Sequence, residues 1–342
     1  MIKYDKIDKL FYYWLSLSLI LVFIIIIVGG LTRLTNSGLS ITEWELFSGI
    51  LPPLNQSQWI NYFDAYKSIP QFRILNPDMS LNEFKVIFYW EYFHRVLART
   101  IGIFFLIPLI YFYFTKKIDK YFMNKSLIIF SLIVLQGFVG WYMVMSGLVN
   151  DVTVSHYRLS IHLLLALIII SMIFWMMANI KNRTSKVFFN FSKDNLPYLI
   201  LIIIIFFQII MGAFVSGLDA GLLHQTWPLM GNNYFPNDSI FLNLFDIRVF
   251  SDPSLVQFIH RNLAYLILII FLLILYFVIT EKLFNFYNIM KYLGLALFIQ
   301  IFLGIVTILS GAQMFLASMH QISSIILISL SIYLLFLNKK IN

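Results

Sequence analysis

Long apolar runs, each closed by a polar and often charged stretch, divide this chain. A helix crossing a hydrocarbon core about 30 Å thick needs roughly 20 apolar residues. Runs of that kind fall at 11–30, 87–114, 126–147, 157–178, 197–217, 255–279, 290–310 and 314–337. The pattern predicts eight transmembrane helices. The N-terminal run reads as the first of them: it is too long for a signal peptide, no A-x-A-like cleavage site follows, and no Arg-rich transit segment precedes it.

Composition agrees. Of 342 residues, 60% are hydrophobic and 12% charged, against about 25% charged in soluble domains, and the mean hydropathy is +0.85. The net charge of +8 is a matter of topology. Lys3, Lys6 and Lys9 precede the first run, and Lys116, Lys117, Lys120 and Lys125 lie between the second and third. Lys181, Arg183, Lys186 and Lys193 follow the fourth, Lys282 and Lys291 the sixth, and Lys339 and Lys340 the last. By the positive-inside rule both termini are expected in the cytoplasm. The basic residues face a membrane surface and no nucleic acid. Cys is absent, so thiolate ligands, iron–sulfur clusters and covalent c-type haem are excluded.

The second half of the chain echoes the first. "LQGFVGWYMVMSGL" at 135–148 aligns with "IQIFLGIVTILSGA" at 299–312, and "HRVLA" at 94–98 with "HRNLA" at 260–264. "VGGLTRLTNSGL" at 28–39 has a fainter echo in "FVSGLDAGL" at 214–222. Four helices per half give both copies the same orientation. The expected fold is an all-α integral membrane protein, eight transmembrane helices as two tandem, same-orientation four-helix bundles, residues 1–190 and 191–342.

Four of the six His obey the repeat. His94 and His162 stand near the starts of the second and fourth helices, and His260 and His320 near those of the sixth and eighth. Each half thus brings two His to similar depth on two helices of one bundle, as a haem iron with axial imidazoles requires. The bland alternative is a polar residue joining helices by hydrogen bonds; four at matched positions favour two haem sites. His156 and His224 lie in loops, have no repeat partner, and read as solvated.

The halves differ three residues before the first His of each pair, at Glu91 and Gln257. Residues three apart share a helix face, so one site has an ionisable carboxylate and the other a neutral amide. Oxidation at carbon releases protons and needs an acceptor; that places chemistry in the N-terminal half, with Glu91, and a permanent redox haem in the C-terminal half. A salt bridge from Glu91 to Arg95 is the structural alternative. Arg95 and Arg261, with Arg158 beside His162, are candidates for haem propionates because guanidinium suits carboxylates; snorkelling toward headgroups is the other reading.

These residues resemble a known family. "GGLTRLTNSGLSITEWELFSGILPPLNQSQW" at 29–59, "EYFHR" at 91–95, "YRLSIHL" at 157–163, "HQTWPLMG" at 224–231, "FIHR" at 258–261 and "LASMHQ" at 316–321 together are similar to haem A synthase over essentially the whole chain. The resemblance implies oxidation of the C8 methyl of haem O to a formyl group, giving haem A for terminal oxidases. It implies a haem O site at Glu91, His94 and His162, and haem b on His260 and His320. Haem O synthase, cytochrome oxidase assembly factors and a second copy of the chain are the partners it suggests. Relatives with a Cys pair in an outer loop depart from this chain, which looks like the Cys-free mitochondrial and alphaproteobacterial branch, expected in a bacterial inner membrane. Two other classes share some features. A non-catalytic di-haem cytochrome gives no reason for Glu91 to lack a counterpart, and a transporter would bind no haem.

Overall fold

The computed structural model describes residues 9–44, 48–149, 151–188 and 191–338. Lys3, Lys6, Lys339 and Lys340, used above for orientation, lie outside them. The chain runs α1 (Lys9–Leu34), α2 (Gln56–Lys67), α3 (Pro70–Leu75), α4 (Leu81–Thr115), α5 (Lys120–Gly147), α6 (His156–Lys181), α7 (Leu196–Gly217), α8 (Pro253–Thr280), α9 (Tyr287–Leu309) and α10 (Met314–Asn338), with short 3-10 turns between. All but α2 and α3 are long and apolar enough to cross a membrane, giving eight spans among the described residues. The eight apolar runs are therefore eight helices.

α4 starts six residues earlier than 87, as α5 starts six earlier than 126. A capping box sets the start of α4. The Ser80 Oγ accepts from the Glu83 N–H and Glu83 accepts from the Ser80 N–H, satisfying two N-terminal donors reciprocally. The added turns are too polar to read as membrane but helical enough to carry Phe84 and Phe88 upward. Pro108 sits inside α4, which a bundled transmembrane helix tolerates.

The described chain forms two compact units, residues 16–169 and, for the rest, residues 9–15 with 170–338. In the first unit the segment between α1 and α4 folds into α2 and α3. Trp59, Phe63, Tyr66 and Ile69 form a core with Leu39, Ile41, Phe84, Phe88 and Val154. Each such side chain taken from water contributes about 1.5–3 kcal/mol. The buried Tyr66 hydroxyl donates to Gln71 (3.0 Å) and accepts from Asn76 (2.8 Å), and Gln71 Nε2 donates to the Asn36 carbonyl (3.3 Å). The segment is thereby fixed to the end of α1.

In the second unit the close-packed core lies toward one end of α7–α10. Its members nearest the His level are Ile205, Ile267, Leu297 and Leu327. Relative to Gly212, His260, Gly304 and His320, each is seven residues along its helix, about 10 Å at 1.5 Å per residue. Half-buried side chains such as Ile209 and Ile301 occupy the interval.

α1 and α7 end alike. Two residues beyond each helix, Asn36 (φ 51°) and Asp219 (φ 50°) take the left-handed conformation, which Asn and Asp adopt more readily than other residues with a side chain.

Candidate functional site

Each of the four repeat-related His packs its ring against a glycine of the preceding membrane helix. A Cβ on Gly29 would lie 3.2 Å from His94 Nε2, and one on Gly140 would lie 3.0 Å from His162 Cε1. Cβ atoms on Gly212 and Gly304 would lie 3.2 and 2.9 Å from the Cε1 atoms of His260 and His320. The glycines are thus cradles, and a methyl group would push the rings. His94 and His162 belong to the first unit, His260 and His320 to the second, and all four are half-buried.

A Gln one turn before the glycine completes three of the four contacts. Gln136 Nε2 donates to the His162 carbonyl at 3.0 Å, Gln208 to His260 at 3.0 Å and Gln300 to His320 at 3.1 Å. The same amide nitrogens stand 3.3–3.4 Å from a ring nitrogen of that His. His320 Nδ1 also lies 3.1 Å from the backbone carbonyl of Gln300. A ligand His commonly donates its second nitrogen to such a carbonyl, which fixes the other nitrogen toward a metal.

These residues fit an iron porphyrin. The His260 and His320 ring centres are 6.3 Å apart with planes 78° apart. Two imidazoles bonded to opposite faces of one metal at about 2.0–2.1 Å, the zinc–imidazole distance, have ring centres about 6 Å apart. Among the described residues, His162 Nδ1 and His260 Nδ1 are buried without hydrogen-bond partners, a costly state for a polar atom that nothing else binds. No group of three or more His, Asp or Glu comes together among the described residues. A metal at either pair needs further ligands that arrive with it, as four porphyrin nitrogens do.

Glu91 is 2% exposed and accepts four hydrogen bonds. Ser40 Oγ (2.7 Å) and the Ile41 N–H (2.9 Å) donate to Oε2, and Arg95 Nε (3.0 Å) and Nη2 (2.6 Å) to Oε1. A carboxylate has about four acceptor positions, so all are taken. Arg95 spends further donors on the Ile41 (2.8 Å) and Glu43 (3.1 Å) carbonyls and lies over the Trp44 ring. The geometry favours the salt-bridge alternative over a free proton acceptor.

The second unit repeats this arrangement. Arg261 donates to the His224 (2.8 Å) and Thr226 (2.8 Å) carbonyls, and Gln257 Nε2 to the His224 carbonyl (3.2 Å). Gln257 Oε1 and Arg261 Nε are buried without hydrogen-bond partners among the described residues. Arg158 donates to the Tyr142 carbonyl (2.7 Å) and stacks on that ring. In this structure all three Arg are directed at loop or helix carbonyls.

Two sequence expectations are corrected. His224, expected to be solvated, is half-buried, with Nε2 3.1 Å from Ser254 Oγ and 3.5 Å from Asp238; the Arg261 contacts make it the repeat partner of Ile41. His156 is the half-buried first residue of α6. Sequence reading missed Gly29, Gly212 and Gln208; the spacing Gln-x-x-x-Gly, present at 136–140, 208–212 and 300–304, carries the signal for the last two but not for Gly29.

Fold and site together define a polytopic α-helical membrane protein with a matched His pair in each of two units. The family described as cytochrome oxidase assembly protein matches residues 12–332. A heme A synthase of Pelagibacter ubique is 48% identical over 341 residues, covering 100% of this chain and 98% of that protein. Heme A synthases of Rickettsia africae and Rickettsia felis are 39% and 40% identical over 330 residues, each covering 95% of this chain and 97% of the relative. The chain belongs to the haem A synthase family.

Proposed function

We propose that this chain is a membrane oxidoreductase that converts the C8 methyl group of haem O to a formyl group, yielding haem A. The observation that carries the reading is the placement of His94 and His162 in one unit with the buried Glu91–Arg95 pair, in a chain matching proteins named heme A synthase over its full length. Haem O is the substrate and binds in the first unit, with His94 and His162 as its iron ligands.

Haem b is the resident cofactor of the second unit, held by His260 and His320; when bound it supplies a relay for electrons. Methyl plus water to formyl releases four electrons and four protons; dioxygen is the oxidant that takes them up as water, so the sum is methyl plus dioxygen to formyl plus water. The chain's own residues orient the substrate. His162 is held by Gln136, and Gly29 and Gly140 let the imidazoles approach. Glu91 is a positioning residue: it and Arg95 seat residues 40–43 beside the turn that carries His94. A carboxylate serves there because the Ile41 N–H, the Ser40 hydroxyl and a guanidinium all donate to it, whereas Gln257 donates to the loop carbonyl instead. The Lys distribution favours both termini in the cytoplasm, and the bacterial relatives favour a bacterial inner membrane. Haem O synthase and oxidase assembly factors remain the partners the family suggests.

The test is expression in membranes that make haem O but not haem A. Extracted haem analysed by mass spectrometry should contain the formyl product only when the chain is present. Haem O unconverted under aeration, with haem b bound and an electron donor supplied, favours the di-haem cytochrome.

A further inference from the structure

Three of the four His are clamped from the neighbouring helix and one is not. The position one turn before the cradle glycine is Gln136, Gln208 or Gln300 for His162, His260 and His320, but Ile25 for His94. Ile25 has no side-chain donor, and the His94 side chain makes no hydrogen bond among the described residues. Its ring nevertheless meets Gly29 as the other rings meet their glycines.

We propose that Ile25 leaves His94 the loosely held ligand of the four, so that the first unit takes up and releases an iron porphyrin while the doubly clamped second unit retains one. The inference rests on the His pairs being haem ligands and deepens that reading. The amide holds the main-chain carbonyl of its His and stands 3.3–3.4 Å from the ring, so a clamped ring that swings off the iron parts from the amide and gives up that polar contact inside the membrane. His94 carries no such penalty. In a substrate site this looseness is useful, because product release limits many enzymes. In a cofactor site it would be a defect, and both ligands there carry the Gln.

The experiment is transfer of haem b from purified, haem b-saturated protein to excess apomyoglobin, followed optically. Wild type should lose haem in two phases, the fast one missing in His162→Ala. Ile25→Gln should slow the fast phase about fivefold and Gln208→Ile should speed the slow phase about fivefold, the worth of one ordinary hydrogen bond. Electron paramagnetic resonance gives a second readout: a high-spin ferric fraction of the first site should shrink in Ile25→Gln. If Ile25→Gln does not fold, Gln208→Ile and Gln300→Ile carry the test. Unchanged rates with both sites filled overturn the inference and leave the haem sites standing. Haem at neither site overturns both.

Discussion

Arg95 and Arg261 make the same pair of hydrogen bonds, each to two carbonyls two residues apart, in the loops after α1 and α7: Ile41 and Glu43, His224 and Thr226. The repeat is therefore a repeat of loop anchoring as well as of His pairs. It differs at the anchor's second member, where Glu91 pairs with Arg95 through two hydrogen bonds and Gln257 has no ionic counterpart.

Glu91 and Arg95 form a mostly buried ion pair, with side chains 3% and 11% exposed. Removing one partner strands the other charge, at a cost of about 3–5 kcal/mol. Glu91→Ala and Arg95→Met should each destabilise the protein by about that much. The double variant should be little worse than either, a coupling about as large as one single loss, about 3–5 kcal/mol. Unfolding in detergent titrations measures both, and additive losses would deny the pairing.

The two His pairs should separate by cofactor. His260→Ala or His320→Ala should remove the haem b spectrum of the purified protein. His94→Ala or His162→Ala should leave that spectrum in place while haem A disappears from the membranes. Loss of haem b from all four variants alike would contradict the assignment of one site per unit.

Glycines are informative because they differ. A methyl group at Gly304 or Gly140 meets a His ring at 2.9 or 3.0 Å, whereas one at Gly137 meets nothing within 4 Å. Gly304→Ala should lower haem b occupancy and Gly140→Ala haem A output, each several-fold. Gly137→Ala should resemble wild type in both optical spectrum and product yield.

Asp238 responds to pH. The Ser254 hydroxyl, which donates to it at 2.7 Å, and His224 hold its pKa below the ordinary 3.8. A depressed folded value means the group stabilises fully above the unfolded value and ceases to as pH falls through the folded one. The loop 222–253 should thus loosen below about pH 4, more steeply in wild type than in Asp238→Asn. Hydrogen exchange across that range reads the difference.

Much of this was legible in the sequence. The eight spans follow from apolar length, and the four His from a repeat that places them at equivalent turns. The start of α4 was not, since Ser80–Glu83 and the amphipathic turns before residue 87 carry helix signals without membrane hydropathy. Nor were α2 and α3, whose apolar residues match each other and Phe84 and Phe88 instead of lipid. Glu91 was singled out correctly as the point where the copies differ. Arg95 was legible as a partner at i+4, whereas Ser40 and Ile41 were not, because they lie some fifty residues away in sequence. Gln208 was missed because the segment at 201–210 is otherwise uniformly apolar.

The most direct measurement is a single turnover. Purified protein containing haem b is loaded with haem O, supplied with air and a reductant, and its extracted haems are followed over time by mass spectrometry, with His162→Ala as the control. The expected result is a hydroxymethyl haem followed by the formyl haem in wild type, and haem O alone in the variant. Formyl haem in equal yield from His162→Ala would contradict a substrate site in the first unit.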